Sequence, residues 1–195
     1  MSEVRLDQVL DRVPSGLPVG IGCWLVGRAA NAIAARPRPL TPTEVRIRDD
    51  GGVRVAAPAQ DELPFAHQAP EVIRGAAPTP RSAVFSLGAL VVQTVTGRAP
   101  FARGSDLETR IAVVEEQIPP LLGRVAQASS GLDELVGRAL AKAPEDRFAS
   151  TVELAEELDA YLEAELLDVG PEELARVVRA ALAGEDLWVE PGGAV

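Results

Sequence analysis

Two short runs, Val45-Arg46-Ile47-Arg48 and Val53-Arg54-Val55-Ala56, flank Asp49-Asp50-Gly51-Gly52, so that apolar and polar residues alternate on both sides of a turn sequence. That is the signature of a β-hairpin, and period-two alternation puts Arg46, Arg48 and Arg54 on one face. Elsewhere the periodicity is helical. Val4, Leu6, Val9, Leu10 and Val13 share a helical face within residues 4–13, ahead of the break Pro14-Ser15-Gly16. Ile21, Leu25, Ala29, Ala32 and Ile33 repeat the spacing over residues 17–35, an Ala-rich central helix stopped by Pro37 and Pro39. Residues 57–80 are Pro-rich and read as loop, and helices are expected over 82–96, 105–117, 131–142, 150–165 and 171–183. The expected fold class is mainly α with one β-hairpin.

Two helix starts have a physical basis. The Ser150 hydroxyl can accept from the free amides of the first turn while Glu153 reaches back, a capping-box arrangement. Pro171 supplies a preset φ, and Glu172 and Glu173 place carboxylates at the positive end of the last helix. The stripe Leu174, Val177, Val178, Ala181 and Leu182 must be covered. Packing on the body of the same chain is the plain reading; a partner helix or self-association is the alternative. Residues 184–195, with Glu185, Asp186 and Glu190, read as an acidic, Gly-rich solvated end.

With 195 residues, 47% of them hydrophobic, the chain can bury one good core. A net charge of −10 argues against nucleic acid or anionic membrane as partner, since both need a cationic field. Any basic surface must be local. The single Cys23 excludes an internal disulfide and fits a reducing compartment, and neither a membrane span nor a basic-headed leader is evident. These observations give a cytoplasmic expectation.

Four further segments follow in order: Ala69-Pro70-Glu71; Val84-Phe85-Ser86-Leu87-Gly88; Thr96-Gly97-Arg98-Ala99-Pro100-Phe101; and Leu140-Ala141-Lys142-Ala143-Pro144-Glu145-Asp146-Arg147-Phe148-Ala149-Ser150. In sequence and spacing they resemble the C-terminal lobe of bacterial eukaryotic-type Ser/Thr protein kinases. The resemblance covers roughly residues 4–165. It implies a kinase C-lobe-like domain over 1–165, with residues 166–195 as a C-terminal helix and acidic tail, and no N-lobe ahead of residue 17.

The same resemblance implies lost chemistry. The catalytic loop H-R-D-x-x-x-x-N, whose Asp takes the substrate proton and whose Asn holds magnesium, is matched by Pro37-Arg38-Pro39-Leu40-Thr41-Pro42-Thr43-Glu44-Val45. Pro39 then stands at the base, Thr41 at the phosphate-contacting Lys and Glu44 at the metal-binding Asn. D-F-G is matched by Ala57-Pro58-Ala59, and the eleven residues Gln60 to Pro70 replace a long substrate-presenting segment. The Asp that braces the loop is Ala83, and with no catalytic Asp to position a brace has nothing to hold; Arg46 stands at the apolar floor of the adenine pocket. The resemblance thus implies a pseudokinase that is not an enzyme, with no ATP, no cofactor and no metal site. It also implies a buried ion pair between Glu71 and Arg147, a sign of specified geometry more than of stability.

The function expected on this basis is a protein-interaction or scaffold module in bacterial signalling, docking a kinase or another signalling protein. Arg46, Arg48 and Arg54 form the candidate partner-binding patch, suited to carboxylates of a partner or of the acidic tail; a solubilising role for bared strands is the plain alternative. The other functions weighed are a residual or split kinase completed by another chain, and a structural subunit of an assembly. Remaining candidates have simpler explanations. His67 is the sole His and reads as an ordinary loop residue, Asp49-Asp50-Gly51-Gly52 as a turn and not a calcium loop, and Cys23 as a small core filler. Gly16, Gly20 and Gly22 echo a phosphate loop but lie in a helical pattern.

Overall fold

The computed structural model describes residues 2–57, 64–185 and 187. Its elements run β1 (Glu3–Arg5), α1 (Leu6–Leu10), α2 (Val19–Ala32), β2 (Val45–Arg48), β3 (Val53–Val55), a 3-10 turn (Phe65–His67), α3 (Pro70–Ile73), α4 (Pro80–Thr96), α5 (Asp106–Glu115), α6 (Ser130–Ala139), a second 3-10 turn (Pro144–Asp146), α7 (Thr151–Ala164) and α8 (Pro171–Ala183). The molecule is mostly helical, with one small antiparallel sheet in the order β1-β2-β3. No helix among the described residues is long and apolar enough to cross a membrane.

Helices α2 and α4 form the centre. Ser82 to Val92 on α4 are all buried, so that helix is covered on every side, as a central helix must be. Around it α2 packs on α4, α7 and α8, and α6 packs on α4. Gly88 makes the α4–α6 approach possible, because a Cβ there would lie 2.8 Å from the Cβ of Ala139.

Helix starts follow local chemistry. Thr79 accepts from the Ser82 N–H at 3.3 Å while the Ser82 hydroxyl accepts from the Thr79 N–H at 3.0 Å. Ser150 accepts from the Glu153 N–H at 3.1 Å, and the Glu153 carboxylate reaches back to the Ala149 N–H at 2.6 Å.

Three expectations need correction. The hairpin is two strands of a three-stranded sheet with β2 in the middle, because residues 3–5 pair with β2 and only residues 6–10 are helical. Val4 and Leu6 fit helical spacing, but Val4 lies opposite Ile47 in the sheet, a partner forty-three positions away that no local pattern shows. Within 57–80 the described residues contain a 3-10 turn and the short helix α3, which Pro70 begins from the first helical position.

The stripe on α8 is covered by its own chain except at Leu182, which is exposed. Leu174, Val177, Val178 and Ala181 belong to the common core, with α8 against α1 and α2. The hairpin turn joins the same contact. Gly51 has φ +80°, and a Cβ on it would fall 1.7 Å from the carbonyl oxygen of Pro171, so glycine alone fits both the backbone angle and the space. Asp186 and Glu190 of the acidic tail, and Pro58 and Ala59 of the D-F-G comparison, lie outside the described residues.

Candidate functional site

Glu71 and Arg147 meet in the interior. Glu71 lies in the first turn of α3, and Arg147 follows the second 3-10 turn. The Arg147 side chain is 0% exposed and that of Glu71 17%. Arg147 Nη1 donates to Glu71 Oε1 at 2.9 Å and to the Arg81 carbonyl at 3.0 Å, and Nη2 donates to Glu71 Oε2 at 2.8 Å and to the Lys142 carbonyl at 3.1 Å. Nε donates to the Ala141 carbonyl at 2.7 Å, so every N–H of the planar fork has an acceptor.

Burial pushes the Glu71 carboxyl up, but the bonds from Arg147, from the backbone and from Ser82 outweigh it and hold the group below the usual carboxylate range. Ser82 donates to Glu71 Oε1 at 2.8 Å. Arg81 returns the contact from the other side, donating to the carbonyls of Pro144 and Arg147 at 2.9 Å each. The pair thus ties α3, the start of α4 and the 140–147 loop together. The Phe85 ring lies 4.9 Å from the guanidinium carbon of Arg147 and is stacked on Phe101 at 5.7 Å.

Loop 37–45 is closed on itself. Glu44 is 2% exposed; one carboxylate oxygen pairs with Arg38, and the other accepts from the Thr41 N–H at 2.8 Å. Arg38 also donates to the Ala56 carbonyl at 2.7 Å, fastening the loop to the end of β3. The structure therefore places Glu44, matched above to a metal-holding Asn, on partners within its own loop. Pro39 and Thr41 flank Leu40, which is clamped from below.

That clamp corrects the expectation that a brace from this helix has nothing to hold. The Ser86 hydroxyl accepts from the Leu40 N–H and donates to the Leu40 carbonyl, both at 2.7 Å. One residue of α4 thus satisfies both backbone groups of a fully buried loop residue. Ser86→Ala is expected to cost roughly 1–3 kcal/mol, the price of two buried unpaired groups. Chemical denaturation would measure it, and a cost below about 0.5 kcal/mol would mean that the brace is dispensable.

The sheet brings the three candidate arginines onto one outer face. Arg46 and Arg48 are the half-buried positions of β2, and Arg54 lies directly opposite Arg46. Strand β1, missed from the sequence, sets Arg5 opposite Arg46 and Glu3 opposite Arg48. Acidic neighbours are engaged there: Arg54 pairs with Glu3 at 3.0 Å, Arg5 with Asp7 at 3.0 Å, and Arg48 with Asp50. Arg46 donates to the Thr43 carbonyl.

His67 departs from expectation. It is 4% exposed, and its Nε2 lies 2.8 Å from Gln93 Oε1 on α4, so that burial lowers its pKa. A Pro-rich stretch carries no periodicity from which that docking could be read. Cys23 is fully buried on α2, and burial pushes its thiol up to about 12. Among the described residues no three His, Cys, Asp or Glu side chains converge as a metal-ligand set.

Comparison with known proteins places this arrangement. No protein-family model matches the chain. Curated relatives do. Serine/threonine-protein kinase PknL of Mycobacterium tuberculosis is 30% identical over 149 residues, 69% of this chain and 37% of that protein. PknJ of Mycobacterium bovis is 35% identical over 138 residues, 67% of this chain and 23% of that protein. The kinase pkn3 of Myxococcus xanthus is 28% identical over 174 residues, 82% of this chain and 32% of that protein. The chain is therefore related to bacterial Ser/Thr protein kinases, and the matches span about a third of these relatives' length or less. The expectation that the chain is not an enzyme is corrected accordingly: its relatives point to a kinase-related enzyme family, by partial and distant matches.

Proposed function

We propose that this chain is the C-terminal lobe of a kinase fold and acts as a protein-interaction module in bacterial cytoplasmic signalling, docking an acidic segment of a partner protein on the outer face of its sheet. The observation that carries the reading is the cross-strand row Arg5, Arg46 and Arg54, with Arg48 beside it, in a chain of net charge −10. In-chain carboxylates hold Arg5, Arg48 and Arg54 in place, the Thr43 carbonyl holds Arg46, and Arg54, 67% exposed, keeps most of its fork open to solvent. A planar guanidinium can then take a further carboxylate bidentately. A charged face of this kind sets partner choice and encounter rate more than raw affinity.

A split kinase completed by another chain is the second reading. It is favoured by relatives that are themselves kinases and match this chain over only part of their length.

One experiment addresses both. A labelled Glu-rich peptide is titrated onto the protein by fluorescence anisotropy, and onto the triple variant Arg46→Glu, Arg48→Glu, Arg54→Glu, with circular dichroism as fold control. Binding should weaken as salt rises and fall by about tenfold or more in the variant. Equal binding by variant and parent would overturn the docking surface. Phosphate transfer from ATP and magnesium in a partner-bound complex, but not by either chain alone, would favour the split kinase.

A further inference from the structure

Lys142 is the one lysine of the chain. It lines a cleft of about 130 Å³ between residues 116–121 and α6. Nζ donates to the carbonyl of Val113 at 2.7 Å, in the last turn of α5, and lies 4.4 Å from the centroid of the Phe101 ring. The rest of the wall is mostly apolar, with Ile118, Leu121, Val136 and Leu140. Both acids at its edge are engaged: Glu116 pairs with Arg103, and Asp133 accepts from the Leu121 N–H at 2.6 Å. Burial, and then the charge of Arg147, bring the amine down to about 8, against a smaller opposing pull from Glu116.

We propose that Lys142 is an acylation site, which takes a short acyl group from an acyl thioester and lodges it in this cleft. The neutral amine attacks the thioester carbonyl carbon, the C–N bond forms, the C–S bond breaks, and the departing sulfur takes the proton that nitrogen loses. The products are an amide and a thiol, with no oxidant or reductant involved. Three features of the site favour this outcome. A lysine desolvated beside another cation is the recognised form of an activated amine. The amide keeps one N–H, and one is what the Val113 carbonyl needs. Acylation also removes a cation from beside Arg147, while the apolar wall receives the acyl carbons. The competing role is that of a plain cap, a cation on the last carbonyls of α5.

The test uses the acetyl thioester of N-acetylcysteamine and peptide mass mapping, on the native protein and on the same chain unfolded in urea. At pH 8 about half of the native Lys142 is neutral, against less than about one part in a hundred for an ordinary lysine. Lower intrinsic nucleophilicity and partial burial reduce that advantage, so native Lys142 should acetylate roughly tenfold faster than the unfolded chain, with a rate that levels off above about pH 8. A native rate equal to or below the unfolded rate would leave Lys142 as a cap only and overturn the proposal.

Gly137→Leu tests the cleft itself. Gly137 lines it, and a Cβ there meets nothing within 4 Å, so a side chain can start at that position without a clash, and leucine is chosen to narrow the cleft. Native acetylation should slow by about fivefold and the unfolded rate should not change. An unchanged native rate would show that the acyl group does not enter the cleft.

Discussion

Replacing Glu71 with alanine is expected to destabilise the protein by roughly 3–5 kcal/mol, because it strands a guanidinium that has no exposed surface. Arg147→Ala should cost a similar amount by a different route. It removes the partner of a carboxylate that is still 17% exposed, and it takes the side-chain donor away from the carbonyls of Ala141 and Lys142, which lie outside any helix. The double variant should therefore cost clearly less than the sum, with a coupling of about 0.5–3 kcal/mol in a double-mutant cycle by urea denaturation. Additive costs below about 1 kcal/mol each would mean that the pair behaves as a surface contact.

The same pair fixes an acid dependence whose sign can be stated. Glu71 is held below its ordinary value of 4.5, so the unfolded chain binds its proton first as pH falls. The contribution is complete above that value and is lost as pH drops through the lower folded value. Glu71→Gln removes this titration. Its stability should fall less steeply than that of the parent below about pH 4.5, while lying lower at neutral pH. Parallel curves would show that the carboxylate does not titrate with folding.

Much of the helical frame was legible because it is written locally. Ser150 with Glu153 and Pro171 with Glu172 mark helix starts within a few residues, and α8 runs over the span its apolar stripe predicts. The Thr79 and Ser82 cap that starts α4 was not read, and that helix was expected only from 82. The hairpin was legible for the same reason, since its turn and alternation lie in twelve consecutive residues, 45–56. What escaped is non-local. Strand β1 exists because residues 3–5 find β2, and taken alone they have too few positions to show a period.

The sites divide in the same way. Motif order brought Glu71 and Arg147 to attention, but the acceptors that use every Arg147 N–H are mostly backbone carbonyls, which no side-chain pattern can reveal. Ser86 gave one available signal: a hydroxyl within the wholly apolar surroundings of a central helix needs a partner, and that partner is Leu40. His67 and Lys142 gave none, because their environment is made by α4 in one case and by α5 with Phe101 in the other.

Phe85 is the residue on which the buried charges rest, and its truncation is expected to rank with the loss of the ion pair. It has no exposed surface, lies nearly parallel to Phe101 at an interplanar angle of 13°, and carries Arg147 at 4.9 Å and Lys142 at 5.8 Å over its ring. Phe85→Ala removes that ring from a packed interior and should cost roughly 3–5 kcal/mol from burial and cavity alone. For a chain of this size each kcal/mol lowers the midpoint by about 2–4 °C, which predicts a fall of roughly 6–20 °C in a thermal melt. Phe85→Leu keeps much of the apolar volume but not the π face, so it should cost less, and the difference between the variants separates packing from cation–π attraction. The decisive measurement combines Phe85→Leu with Arg147→Ala. If the guanidinium is held in part by the ring, the combined cost falls short of the sum by about 0.5–1 kcal/mol; strict additivity would assign the whole effect of Phe85 to packing.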